Sequence, residues 1–158
     1  MEFDKLVAFI PQASLWVFRH KFITPGQKGG IIAQMVMDIL DIEIPIYTGF
    51  LTKAKNLVPD RYTKNYISLK TTKWNIFLPK CLEDTPNAKI LIIDDFVMSG
   101  DFLIMLTNKL KDFGYAEENI YSCCVVTTKV AIQTKKNANY YWNIIDADNS
   151  YFPWGKVR

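Results

Sequence analysis

The chain has 158 residues, which is the size of one ordinary domain. Hydrophobic residues make up 49% of it and aromatic residues 14%, a composition that excludes a disordered tail. The 19 basic and 16 acidic residues leave a net charge of +3, and the basic ones are spread along the chain. This balance argues against a nucleic-acid-binding surface. We therefore expect a single domain over residues 1–158.

The cysteines and the apolar runs predict a cytoplasmic protein without a membrane partner. Cys81, Cys123 and Cys124 are an odd number without CxxC spacing, which favours buried, reduced thiols. No apolar run approaches the roughly 20 residues of a membrane helix. The acidic start of the sequence lacks the basic segment of a secretory signal. His20 is the only histidine, which argues against a histidine-based nucleophilic triad.

The first half of the chain predicts one helix and several strands. Residues 1–27 match no pattern. The Gly29-Gly30 pair indicates a tight turn into a helix over residues 31–40, whose apolar residues share one face. That face comprises Ile31, Ile32, Met35, Val36, Ile39 and Leu40. A short strand is predicted at residues 43–48, then a polar, lysine-rich stretch over residues 52–73 that contains a strand near 66–69. Another strand is predicted at residues 74–78.

The second half alternates strands and helices. The aliphatic run at residues 90–93 suits a strand that is buried on both faces of a parallel sheet. A helix is predicted at residues 101–113, ended by Gly114. Strands follow at residues 119–127 and 140–145, and the adjacent Cys123 and Cys124 should point to opposite faces. The alternation predicts the α/β class, with a mainly parallel sheet flanked by helices.

Residues 90–102, with the sequence ILIIDDFVMSGDF, join a buried strand to a helix through two acidic residues and a short loop. The start of the helix presents unpaired N–H groups and a partial positive charge, which favour an anion. Gly100 lets the backbone approach a phosphate closely, and Ser99 adds a hydroxyl donor. Asp94 and Asp95 can accept hydrogen bonds from ribose hydroxyls or face Mg²⁺. Ligands of open α/β sheets bind at this end of the strands.

This pattern resembles the phosphoribosyl-pyrophosphate signature of the type I phosphoribosyltransferases. Lys28-Gly29-Gly30, followed by an apolar helix and a strand, looks like the pyrophosphate loop of that family, with Lys28 where the family usually has Arg. The resemblance implies catalytic roles for Lys28 and Asp95, and Asp94 and Asp95 as the residues that face the Mg²⁺ cofactor. It implies that phosphoribosyl pyrophosphate is bound by Lys28, Gly29, Asp94, Asp95, Phe96, Val97, Met98, Ser99, Gly100, Asp101 and Phe102.

The segment from Ala138 through Trp154 looks like the tail of the small purine enzymes for xanthine, guanine and hypoxanthine. Lys129 falls where those enzymes place a lysine that reads the 6-oxo group. The resemblance implies a base-binding set of Lys129, Tyr151 and Phe152. Taken alone, Lys129 is equally consistent with a solvated lysine, residues 152–154 with an aromatic tail packed on the core, and Asp101 with a helix cap or first-turn acid.

The resemblance implies Mg²⁺-dependent transfer of ribose 5-phosphate from phosphoribosyl pyrophosphate to a nucleobase, with a purine expected. It also implies a homodimer or homotetramer, a small C-terminal hood, and a lid formed by residues 52–73. Four residues depart from the family pattern: Met98 replaces an acid, Phe102 a threonine, Asn149 a base-stacking tryptophan and Gly155 an acidic metal ligand.

These four departures favour an alternative, a non-catalytic sensor of phosphoribosyl pyrophosphate or a nucleotide. A response-regulator receiver domain, which also contains an Asp-Asp pair, is disfavoured because no suitable aspartate ends the strand at residues 119–127.

Overall fold

The computed structural model describes residues 20–56, 64–146, 151–153 and 155–156. In chain order the elements are β1 (His20–Thr24), α1 (Gln27–Leu40), β2 (Ile46–Thr48), β3 (Phe50–Lys53), β4 (Tyr66–Lys70), β5 (Trp74–Pro79), β6 (Lys89–Val97), α2 (Asp101–Asp112), β7 (Ile120–Thr128), α3 (Lys129–Gln133), β8 (Tyr140–Ile145), β9 (Tyr151–Phe152) and β10 (Gly155–Lys156). Short 3₁₀ helices cover Lys80–Asp84 and Glu117–Asn119.

The main sheet has five parallel strands in the order β2–β1–β6–β7–β8. Each adjacent parallel pair needs a crossover, and α1, α2 and α3 supply those after β1, β6 and β7. Strand β6 lies at the centre, and its residues 90–93 are at most 5% exposed. The α/β class, the flanked parallel sheet and the doubly buried strand are thus confirmed.

Helices α1 and α2 cover opposite faces of this sheet. Leu103, Leu106 and Leu110 of α2 pack with Ile90 and Ile92 of β6. On the other face, α1 packs against the alternate residues of β6. Cys123 belongs to the α1 side and Cys124 to the α2 side, which confirms their predicted orientation. All three cysteines are free, but Cys81 is exposed, so the prediction that every thiol is buried was wrong for that residue.

Helix α1 differs from its prediction in its start and in its buried face. It begins at Gln27, so Gly29 and Gly30 lie in its first turn and do not form a separate turn before it. Its buried residues are Gly29, Ile32, Ala33 and Val36, whereas Ile31, Met35 and Ile39 are exposed. The reason is steric, because a Cβ on Gly29 would lie 2.3 Å from the carbonyl oxygen of Ile93. The sheet therefore packs against the side of the helix that carries the small residues. The strand before the helix is β1, which was not predicted.

A smaller antiparallel sheet has the order β3–β5–β4, and it confirms the strands predicted near residues 66–69 and 74–78. The ring of Phe50 stacks on Phe77 at 4.7 Å between centroids and meets Tyr66 edge-on at 5.1 Å. This sheet provides the expected small hood, although it arises from residues 50–79. At the C-terminal side the described residues form the two-stranded β9–β10 hairpin. Within the described residues no helix is both long and apolar enough to cross a membrane.

Candidate functional site

A cavity of about 500 Å³ opens where β6 ends and α2 begins. Every residue from 94 to 102 lines it, and so does Lys28 from the first turn of α1. Gly29 belongs to the packing behind the cavity, where it lets α1 approach β6. The structure thus brings together the side chains that the sequence assigns to phosphoribosyl pyrophosphate, although they come from two separate crossovers.

The small sheet supplies a wall of the cavity. Thr71, Thr72, Lys73 and Trp74 line it from the turn between β4 and β5. The Thr71 hydroxyl shapes that turn, since it accepts from the Trp74 N–H at 2.8 Å and donates to the Trp74 carbonyl at 3.1 Å. Thr71, Thr72 and Lys73 belong to the predicted lid of residues 52–73, whose residues 57–63 lie outside the described part of the chain. The other lining residues, which the sequence did not assign to the site, are Pro25, Leu51, Ile76, Ile92, Leu103, Cys123 and Ala138.

Asp94 and Asp95 leave β6 on opposite faces because they are adjacent in a strand. Asp95 is 8% exposed, and one of its oxygens lies 3.8 Å from Nζ of Lys28 on the α1 side. The Asp95 N–H donates to Oδ1 of Asp94 at 3.0 Å. Burial, with the neighbouring charge of Asp95 as the second cause, raises the pKa of Asp94 to about 8. At neutral pH the Asp94 carboxyl therefore holds its proton for most of the time when no cation is bound.

This carboxylate pair fits Mg²⁺. The ion is commonly held by one or two carboxylates, with water and substrate phosphates completing its shell. A divalent cation would favour the ionised form of Asp94, whose desolvation now opposes it. No group of three or more His, Cys, Asp or Glu placed to hold a metal occurs within the described residues. The donor set thus suits an ion shared with a phosphorylated ligand.

The start of α2 forms the side of the cavity to which the sequence assigns a phosphate. Gly100, at the N-cap, has a φ of 75° and no side chain that could cap the helix. Asp101 is a first-turn acid, in agreement with its second predicted role. Its carboxylate accepts a hydrogen bond from the Ser99 hydroxyl at 3.0 Å and lies 2.5 Å from Nζ of Lys136, a residue that the sequence did not single out.

Two of the three predicted base-binding residues, Lys129 and Phe152, can be compared with this cavity. Lys129 begins α3 at the carboxyl end of β7, where its Nζ lies 2.7 Å from Oδ1 of Asp146. Phe152 lies in β9, opposite Gly155. Neither Lys129 nor Phe152 lines the 500 Å³ cavity. The side chain of Tyr151 and all of Asn149 and Trp154 are outside the described residues.

Comparison with known proteins identifies the fold. No protein-family model matches the sequence, and no curated protein matches it. Among solved structures, adenine phosphoribosyltransferase from Giardia lamblia complexed with 9-deazaadenine aligns with a TM-score of 0.59 and 15% identity, over 91% of this chain and 77% of that one. Hypoxanthine phosphoribosyltransferase from Staphylococcus aureus gives a TM-score of 0.61 and 14% identity over 92% and 71%. Purine phosphoribosyltransferase from Pyrococcus horikoshii gives 0.55 and 17% over 92% and 83%. The chain has the fold of the type I phosphoribosyltransferases.

Proposed function

We propose that the protein transfers ribose 5-phosphate from phosphoribosyl pyrophosphate to a nitrogen of a nucleobase, releasing pyrophosphate, in nucleotide salvage. The single observation that carries this proposal is the cavity lined without a break by residues 94–102 and by Lys28. The ligand is a sugar that carries phosphates at both ends. The cavity offers it two acids at a strand end, an anion-binding helix start and a cation on the opposing side. The fold supports the same reaction.

In this proposal each part of the cavity has a chemical task. The backbone N–H groups at the start of α2 bind the 5-phosphate, aided by the partial positive charge of the helix end. Asp94 and Asp95 would accept hydrogen bonds from the ribose hydroxyls and are the residues that would hold Mg²⁺. Mg²⁺ would supply charge neutralisation of the pyrophosphate.

The bond from the ribose C1 to the pyrophosphate oxygen breaks as the bond to the base nitrogen forms, and the proton of that nitrogen leaves to the released pyrophosphate or to solvent. Positive charge accumulates on the ribose and negative charge on the leaving group. Lys28, 3.8 Å from Asp95, can turn its ammonium to the leaving oxygens, which is electrostatic stabilisation without a covalent intermediate. Lys73 brings a further cation to the cavity wall.

A purine is the proposed base, because the proteins with similar structures are named for their action on adenine, hypoxanthine or purines. Lys129 would donate to a carbonyl of the base, and Tyr151 and Phe152 would pack on its ring. Lys129 would then exchange its exposed ion pair with Asp146 for the base, at little cost for a solvated pair. We further propose a homodimer or homotetramer as the working form.

Two residues of the cavity favour the alternative, a non-catalytic sensor. Met98 and Phe102 line the cavity without a polar side-chain group that could move a proton or bind a phosphate. A protein that keeps the cradle and lacks the base chemistry would bind the ligand without turnover. Binding and turnover must therefore be measured separately.

The first experiment is calorimetric titration with phosphoribosyl pyrophosphate, with and without Mg²⁺. The test variant is Asp94→Asn/Asp95→Asn, and the matched control is Glu117→Gln/Glu118→Gln, which changes two adjacent acids in a 3₁₀ helix outside the cavity. We expect Mg²⁺-dependent binding that the test variant loses and the control keeps. Pyrophosphate release is then followed with adenine, hypoxanthine, guanine and xanthine.

Binding with pyrophosphate release above the enzyme-free rate would support the transferase, and binding without release would support the sensor. No binding at millimolar ligand by the folded protein would rule out both.

A further inference from the structure

The loop between α3 and β8 is built against the phosphate side of the cavity. A Cβ on Gly100 would lie 2.0 Å from the carbonyl oxygen of Lys136 and 2.5 Å from its Cβ. The Lys136 N–H donates to the Ala131 carbonyl at 2.8 Å, and Lys135 has a φ of 56°. Ala138, two residues further on, lines the cavity. The backbone therefore fixes Lys136 beside the start of α2, and its position does not depend on a chance surface contact.

The charges at this contact are unusual for a phosphate site. The carboxylate of Asp101 lies in the first turn of α2, where it would repel a bound phosphate. The hydrogen bond from Lys136, and then that from Ser99, hold the pKa of Asp101 below its ordinary value, so the acid is ionised at neutral pH. The Lys136 ammonium, 2.5 Å away, supplies the balancing positive charge.

Lys136 also has donors to spare. An ammonium carries three N–H donors, and its contacts among the described residues use one of them, to Asp101. Its side chain is 41% exposed, so it can reorient without opening an empty space inside the protein. By contrast, the Ser99 hydroxyl already donates to Asp101, and Phe102 has no polar group to offer. Lys136 does not itself line the cavity, but its ammonium bonds Asp101, which does. From there it can supply the charged side-chain donor that residues 99–102 do not provide.

We propose that Lys136 is a phosphate-binding residue, which holds the 5-phosphate of the ligand while remaining beside Asp101. This proposal rests on the proposed function, because it assigns the phosphate monoester of that ligand to the start of α2. It predicts a distinction between the two phosphate ends of the ligand. Lys136 should act on the 5-phosphate, whereas Lys28 on the opposite side of the cavity should act on pyrophosphate.

The experiment compares the binding of ribose 5-phosphate and of pyrophosphate with Mg²⁺ by calorimetry. We expect Lys136→Met to weaken ribose 5-phosphate binding about 10- to 100-fold, as for the loss of a charge-assisted hydrogen bond, and to leave pyrophosphate binding within about threefold. Lys136→Arg should recover most of the affinity. Lys111→Met is the matched control, because Lys111 pairs with Glu117 at 3.1 Å near the other end of α2.

A double variant, Asp101→Asn/Lys136→Met, separates phosphate binding from mere neutralisation of Asp101. If Lys136 binds the phosphate, the double variant stays weak. Wild-type affinity in the double variant would overturn the proposal, as would equal weakening of both ligands by Lys136→Met. Unchanged affinity in Lys136→Met, with a wild-type protein that binds phosphoribosyl pyrophosphate, would overturn this inference alone. Failure of the wild type to bind any of these ligands would overturn the proposed function as well.

Discussion

Gly29 and Gly30 are adjacent in the first turn of α1, yet alanine should affect them in opposite directions. A Cβ on Gly29 would lie 2.3 Å from the Ile93 carbonyl oxygen and 3.2 Å from Cβ of Thr24. A Cβ on Gly30 would find its nearest atom, Oγ1 of Thr48, at 3.6 Å, which is ordinary contact. The first change forces the helix away from the sheet, and the second only removes a flexible residue from a helix.

The magnitudes follow from these distances. Relieving the Gly29 contact requires α1 to retreat by roughly 1 Å, and such overpacking costs about 1–3 kcal/mol. The better helix propensity of alanine returns up to about 1 kcal/mol. We expect Gly29→Ala to lower the free energy of unfolding by up to about 2 kcal/mol, and Gly30→Ala to raise it by about 0.5–1 kcal/mol.

Thermal unfolding followed by circular dichroism measures the difference. For a chain of this size each kcal/mol shifts Tm by about 2–4 °C. Gly29→Ala should also weaken Mg²⁺-dependent binding of phosphoribosyl pyrophosphate, because Lys28 moves with the helix away from Asp95. A Gly29→Ala protein as stable as Gly30→Ala would refute the reasoning, since it would mean that α1 does not approach β6 at this point.

Two further predictions concern the cavity. Asp94 has its folded-state pKa raised from 3.8 to about 8, so the folded protein holds a proton that the unfolded chain releases between these values. The contribution of Asp94 to stability without ligand should therefore fall as pH rises from about 4 to about 8, and Asp94→Asn should remove this contribution from a Tm–pH series; an identical slope in the variant would contradict the assignment. Gly100 and Gly114 both have positive φ, 75° and 93°, but a Cβ on Gly100 would lie 2.0 Å from Lys136 whereas one on Gly114 would lie 3.4 Å from Pro86. Gly100→Ala should thus cost at least about 1 kcal/mol more than Gly114→Ala in urea unfolding, and equal costs would argue against the close contact.

The sequence predicts best where one physical pattern is sufficient. The aliphatic run at residues 90–93 needs only burial on both faces, and β6 has it. The spacing of Leu103, Leu106 and Leu110 needs only one apolar helix face, and α2 buries that face. The acids and the Ser-Gly pair follow directly along the chain, so the cavity contains them as a continuous segment.

Prediction failed where the outcome depended on a partner distant in sequence. Helix α1 has apolar residues on more than one side, and the fit of Gly29 against the Ile93 carbonyl decides which side is buried. Lys136 resembles any solvated lysine until the loop is seen to lie against Gly100. Such tertiary contacts leave no local period in the sequence.

The topology of the central sheet determines what the chain must do to fold. Ile90 of β6 lies beside Ile120 of β7, and His20 of β1 lies beside Lys89 of β6. The two residues of the second pair are more than twice as far apart along the chain as those of the first. Loop-closure entropy grows only logarithmically with length, and each doubling costs about 0.6 kcal/mol. The small sheet between β2 and β6 therefore lengthens the loop at little thermodynamic expense. Its effect falls mainly on the folding rate, because distant pairings raise the contact order on which that rate depends.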